Sequence, residues 1–143
     1  MKSSKINADE IVSVVKGNLI DAKFDFECSS MLIGVSGGID SIVLLETLTI
    51  LGVKCIVAHV DHGMRANSSL DANFVEREAK LRRYKFESER FDVCEIASQT
   101  KQSVEEAARS VRYSFFEKIA NRYGCQFIAL GHHEDDQAET VIM

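Results

Sequence analysis

A chain of 143 residues with 45% hydrophobic and 27% charged side chains is long enough for one compact domain, and no part of it approaches the ~20 apolar residues that a membrane span requires. Its net charge of −5 argues against a broad nucleic-acid surface, because neutralising phosphates calls for clustered Lys and Arg, so any RNA contact must be local or made elsewhere. Four scattered cysteines, Cys28, Cys55, Cys94 and Cys125, form no Cys-x-x-Cys pair and indicate neither a zinc site nor a disulfide framework. The polar start lacks the apolar core of a secretory signal, so a cytoplasmic location is expected.

In chain order, Asn7-Ala8-Asp9-Glu10 has the form of an N-cap with glutamate at the third helical position, and Ile11, Val14, Val15 and Leu19 recur on one face. An amphipathic first helix follows, with 21–30 as its connection onward. The apolar run 31–35 predicts a strand, Ser36-Gly37-Gly38-Ile39-Asp40-Ser41 a tight turn, and Val43, Leu44, Leu48 and Leu51 a helix closed by Gly52. Residues 54–59 form a second short apolar run, and 61–69 read as a long polar loop. Leu70, Phe74, Leu81 and Tyr84 share a narrow arc at about 100° per residue, which predicts a helix over 70–84 burying that face. Residues 86–91 make a weaker third strand, followed by a polar connection. Ser103-Val104-Glu105-Glu106 is a capping box, and Val104, Ala107, Ala108, Val111, Phe115 and Ile119 form an apolar stripe running to about Tyr123, where Gly124 stops the helix. Residues 126–130 are strand four, and Gly131-His132-His133 leads to a helix expected from Glu134. The stop at Met143 inside an apolar, helix-like stretch gives the expectation of one domain over 1–143 belonging to a longer protein.

Alternating strands and helices imply an α/β fold: an open parallel sheet of Rossmann-like type with helices on both faces, in the order 3-2-1-4 with room for a fifth strand. A ligand in such a sheet lies outside the carboxyl ends of strands 1 and 4, where folding brings 36–41 and 131–136 face to face.

The chemistry centres on the glycine turn. Gly37 and Gly38 let the backbone take φ > 0 and let a ligand approach the N–H groups without meeting a Cβ, while Ser36 and Ser41 add hydroxyls at a helix N-terminus. The turn is a phosphate cradle. A Walker A loop starting at Gly34 would need Gly-Lys where Ile39-Asp40 stand. An aspartate there repels a polyphosphate unless a divalent cation intervenes, so Asp40 points to a nucleotide bound with Mg²⁺. Aspartate in a first helical turn also simply offsets the macrodipole.

After strand two, His59-Val60-Asp61-His62-Gly63-Met64-Arg65 lines the same sheet edge, where the backbone at His59 meets an adenine. Zinc on His59, Asp61 and His62 lacks a further partner at ligand spacing. On the long helix Glu105, Arg109, Arg112 and Phe116 fall on one flank; Glu105 and Arg109 serve equally well as an exposed ion pair worth ~0.5 kcal/mol, which leaves Arg112 the better clamp for a phosphate or a developing negative charge. Asp136 and Glu139, three apart on the expected last helix, share a face able to hold Mg²⁺ or an ammonium group, and His133 is placed to donate to a phosphate.

Ser36 to Ser41 resembles the signature of the PP-loop ATP pyrophosphatases, which activate a carbonyl oxygen with AMP and release pyrophosphate. Together with His-Val-Asp-His-Gly-Met-Arg after strand two, Glu-Glu-Ala-Ala-Arg-x-x-Arg-Tyr on the long helix and Gly-His-His-Glu-Asp-Asp-Gln-Ala-Glu-Thr after strand four, it is similar to the N-terminal domain of the tRNA(Ile)-lysidine synthetases over 31–143. That resemblance implies a carbon–nitrogen ligase that joins the ε-amine of free L-lysine to C2 of the wobble cytidine of a tRNA(Ile) with a CAU anticodon, through an adenylated tRNA, using ATP and Mg²⁺. It implies that Ser36, Gly37, Gly38, Ile39, Asp40 and Ser41 hold the pyrophosphate portion, with Asp40 and Asp136 at the metal. Asp40, Arg112 and His133 become catalytic, and Arg109, Arg112, Asp136 and Glu139 face substrate. Downstream tRNA-gripping domains and a homodimer are further expectations. Two alternatives stand: a tRNA-thiolating relative, and an ATP-binding fragment without activity of its own.

Overall fold

The structure, a computed structural model, describes residues 8–63, 68–132 and 137–142. Strands β1 (Ser30–Gly34), β2 (Lys54–Asp61), β3 (Lys85–Arg90) and β4 (Phe127–His132) are parallel, and β5 (Gln137–Ile142) pairs antiparallel with β4, giving the order β3-β2-β1-β4-β5. The expected 3-2-1-4 order is therefore present. Helices α1 (Ala8–Asp21), α2 (Ile39–Ile50) and α3 (Ser68–Leu81) cover one face of the sheet, and α5 (Val104–Tyr123) covers the other, with α4 (Val93–Thr100) packed against α5.

The central strand shows why the apolar run is continuous rather than alternating. Met31 and Ile33 point into the core beneath α1, α2 and α3, while Leu32 points into the core beneath α5, and all three are fully buried. A strand covered on both faces has no solvent side to mark with polar residues. The long helix α5 begins where its capping box predicts: Ser103 Oγ accepts from Glu106 N at 3.1 Å and Gly124 ends the helix at φ 69°.

Three expectations need correction. The face that α3 buries consists of Val75 and Ala79, whereas Leu70, Phe74 and Leu81 are 60%, 36% and 76% exposed and Tyr84 lies beyond the helix. Counting large hydrophobes misplaced the arc, because the smaller Val75 and Ala79 let the helix lie close to the sheet. Val75→Ala should therefore cost ~1–2 kcal/mol and Leu81→Gln under ~0.5 kcal/mol in chemical denaturation; the reverse ranking would contradict the packing. The polar connection after strand three contains α4, whose core-facing positions are Val93 and Ala97 and whose N-cap Asp92 accepts from Glu95 N at 3.1 Å. Val93, Ile96 and Ala97 do recur on one face, but the helix spans only eight residues and its small apolar face is set among polar ones.

The third correction concerns the segment expected to be a helix from Glu134. Residues 137–142 form β5, paired with β4 from His132↔Gln137 to Phe127↔Ile142, while 133–136 and 143 lie outside the described residues. Thr140, Val141 and Ile142 are β-branched and suit a pleated strand, and the pairing satisfies backbone groups of β4 that would otherwise stand at a sheet edge. Ten residues at a chain end were too few for periodicity to separate the two forms.

Candidate functional site

Parallel pairing carries β1 and β2 in step to their carboxyl ends, with Gly34 opposite Ala58 and Leu130. One residue on, Val35 N donates to Ala58 O at 2.9 Å, and the buried His59 ring bonds the Val35 carbonyl through Nδ1 at 2.8 Å. A carbonyl only accepts, so this contact fixes the ring proton on Nδ1. The Nδ1 side of the His59 ring is thus spent on holding the start of the glycine turn.

The turn is shaped by its own hydroxyls. Gly37, at φ 98°, donates from its N–H to Ser41 Oγ at 3.3 Å, and Gly38 N donates to Ser36 Oγ at 3.2 Å. Ser41, almost fully buried, donates its hydroxyl to Gly38 O at 2.9 Å and stands 3.2 Å from Ser36 Oγ. Gly38 caps α2 without a side-chain hydrogen bond, and Ile39 and Asp40 form the first turn, Ile39 being exposed. Neutral contacts at this length are weaker than charge-assisted ones, so phosphate oxygens can displace the hydroxyls from the amides. A turn of this form can take an anion at this end of the sheet.

Beside it lies a cavity of about 70 Å³ lined by Gly34, Ser36, Val60, His62, Arg112 and Phe116 among others. Gly34 lets Phe116 and Leu130 close over β1 beside it, since a Cβ there would come within 2.6 Å of both the Phe116 ring and the Leu130 side chain. Two polar atoms of residues that line it, Arg112 Nε and His62 Nδ1, are themselves shielded from water and lack hydrogen-bond partners among the described residues. Burial holds the His62 ring below its ordinary value of 6.5, the Arg112 guanidinium and His59 push the same way, and Asp61 opposes them. Asp61 itself is buried, and its carboxylate accepts from Gly63 N at 2.9 Å, bending the chain out of β2.

The expected site residues thus divide. Residues 36–41 and Arg112 meet at one end of the sheet. Arg109 does not line the cavity; it is exposed, with its guanidinium 5.3 Å from the Tyr113 ring centroid. His133 and Asp136 lie outside the described residues, and Glu139 stands in β5 opposite Leu130, so the shared helical face expected for Asp136 and Glu139 is not formed. Sequence reasoning gave the side chains of the block around His62 to a second substrate and weighed His62 as a zinc ligand, without singling it out, although it stands just past β2 as Ser36 stands just past β1.

Among the described residues no group of three or more His, Cys, Asp or Glu is close enough to form a metal cage. A magnesium ion that takes most of its ligands from phosphates and water needs one or two carboxylates, and Asp40 in the first turn of α2 fits that use.

The sequence profile of the PP-loop domain matches residues 9–143. The chain is similar to proteins named tRNA(Ile)-lysidine synthase: 40% identical over 113 residues to that of Thermus thermophilus (79% of this chain, 22% of the relative) and 40% over 119 residues to that of Bacillus subtilis (80% and 25%). This chain therefore spans roughly a quarter of the length of those relatives. A U34-tRNA thiolase of Methanococcus maripaludis superposes with a TM-score of 0.70 at 20% identity, covering 90% of this chain and 46% of the other. An NH3-dependent NAD synthetase of Campylobacter jejuni superposes at 0.62 and 12% identity, with 90% and 56% covered; both show the fold alone.

Proposed function

The chain belongs to the PP-loop domain family, and from that premise we propose that it is the nucleotide-using catalytic domain of a tRNA(Ile)-lysidine synthase. The observation that carries this reading is that Arg112 lines the same cavity as Ser36, which puts a cationic side chain beside the glycine turn. The cytidine 2-oxygen attacks the α-phosphate of ATP, pyrophosphate leaves toward the turn, and the ε-amine of lysine then displaces AMP from C2.

The residues of this chain divide the work. Ser36, Gly37, Gly38, Ile39 and Ser41 bind the pyrophosphate portion through the turn, with the β2 end at His59 alongside the adenine. Asp40 would hold Mg²⁺, which neutralises the polyphosphate. Arg112 balances the charge growing at the α-phosphate, where a preorganised donor in a water-poor cavity is strongest. Arg109, His133, Asp136 and Glu139 keep their substrate roles from the family resemblance alone, Asp136 also as a second metal ligand.

Cysteine placement favours this over sulfur transfer. Cys55 and Cys125 are buried, and burial pushes the Cys55 thiol up to about 12 and raises Cys125, so neither forms a ready thiolate, while the exposed Cys28 and Cys94 are far apart in sequence and form no Cys-x-x-Cys pair. The deciding experiment supplies the protein carrying this chain at its native length with ATP, Mg²⁺ and tRNA(Ile) bearing a CAU anticodon. Pyrophosphate release that requires the tRNA, with radioactive lysine entering it, is expected. Release independent of tRNA, or incorporation of sulfur instead of lysine, would overturn the reading.

A further inference from the structure

The hydrogen bonds described above for Ser36, Gly37 and Gly38 run within 36–41, so they give the glycine turn its shape but not its direction against the sheet. Direction is set at the two ends. At the exit, α2 is anchored by Leu44, Leu45 and Leu48 in the core. At the entrance, the register of β1 with β2 ends at Gly34 opposite Ala58, while β2 runs on to Asp61. Val35 follows, and β2 holds it twice: Val35 N donates to Ala58 O at 2.9 Å, and His59 Nδ1 donates to Val35 O at 2.8 Å. The second link is a side chain reaching past the point where strand pairing stops.

Cys55 and Val57 of β2 pack in the core beneath α1, α2 and α3, and the strand period of two places His59 on that side, the side to which the turn leads. The ring is 3% exposed, so its bond to Val35 is sheltered from water. A peptide unit is planar, and a bond that fixes the Val35 carbonyl also fixes the plane of the Ser36 amide and the direction in which Ser36 leaves the sheet. Ser36 Oγ then accepts from Gly38 N at 3.2 Å, which carries the constraint into the turn.

We propose that His59 is a positioning residue: through the Val35 carbonyl it directs the glycine turn toward the polyphosphate, so phosphate affinity depends on a donor at the place of its Nδ1. The inference rests on the reading above that the turn takes the polyphosphate of ATP. Asparagine carries an N–H at the place of imidazole Nδ1, glutamine carries one at the place of Nε2, and leucine fills the site without any donor.

The test is calorimetric binding of Mg²⁺-pyrophosphate to the protein of native length, since pyrophosphate has no base and reports on the turn alone. Affinity should fall about 10-fold in His59→Leu and His59→Gln, the scale of one lost buried hydrogen bond, and stay within about threefold of wild type in His59→Asn. Melting temperature supplies the readout that separates direction from support. His59→Asn gives up the packing of most of the ring, so it should melt below wild type and still bind. Affinity that falls in step with Tm across these variants, His59→Asn binding as poorly as His59→Leu, or unchanged affinity in His59→Leu would overturn the proposal. Nitrogen NMR of histidine-labelled wild type gives a check without substitution: a neutral His59 ring with its proton on Nε2 also overturns it. Wild-type protein that binds neither Mg²⁺-pyrophosphate nor Mg²⁺-ATP would instead sink the underlying reading.

Discussion

Arg112→Ala is expected to abolish lysine incorporation, by at least ~10²–10³-fold, while leaving thermal unfolding and far-ultraviolet circular dichroism nearly unchanged. The separation follows from how little the side chain does for the fold. Its Nε has no partner among the described residues, and its guanidinium carbon lies 5.7 Å from the centroid of the neighbouring Tyr113 ring, a contact of minor worth. Removing it therefore takes away a half-buried cation that the packing does not need. Lysine at this position would restore charge without the planar fork, and it should recover only part of the rate. Wild-type turnover in the alanine variant would place the charge-balancing group elsewhere.

Gly34→Ala is expected to fail through packing. The added Cβ meets Phe116 and Leu130 at 2.6 Å, and both are side chains of the core shared by α5 and β4 rather than flexible ends able to swing away. Overpacking of this kind costs ~1–3 kcal/mol, or a fall of roughly 3–12 °C in Tm for a domain of this size. The same atom pushes into the cavity wall, so ATP affinity should drop together with stability. An alanine variant that melts with wild type would show that Phe116 can withdraw, and the cavity would then not depend on the missing Cβ.

Much of this arrangement is legible in residue order. The run from Met31 to Val35, the two glycines and the spacing after Ile42 fix a strand, a turn and a helix, and the alternation downstream fixes the sheet order because crossovers have one hand. Arg112 was separable from Arg109 because it sits nearer the apolar stripe, and the structure puts only Arg112 in the cavity wall. What was not legible was weakly marked. The buried side of α3 is carried by a valine and an alanine, α4 repeats its apolar face over only eight residues, and β5 is too short for periodicity to separate strand from helix.

The serine hydroxyls that bridge the amides of Gly37 and Gly38 have a thermodynamic consequence. The turn is a mould set when the chain folds, and its ordering cost is met then rather than at each encounter with a nucleotide. Binding becomes an exchange of neutral contacts for charged ones, so affinity should follow the charge on the phosphates and fade with added salt, with little gain from stiffening the chain.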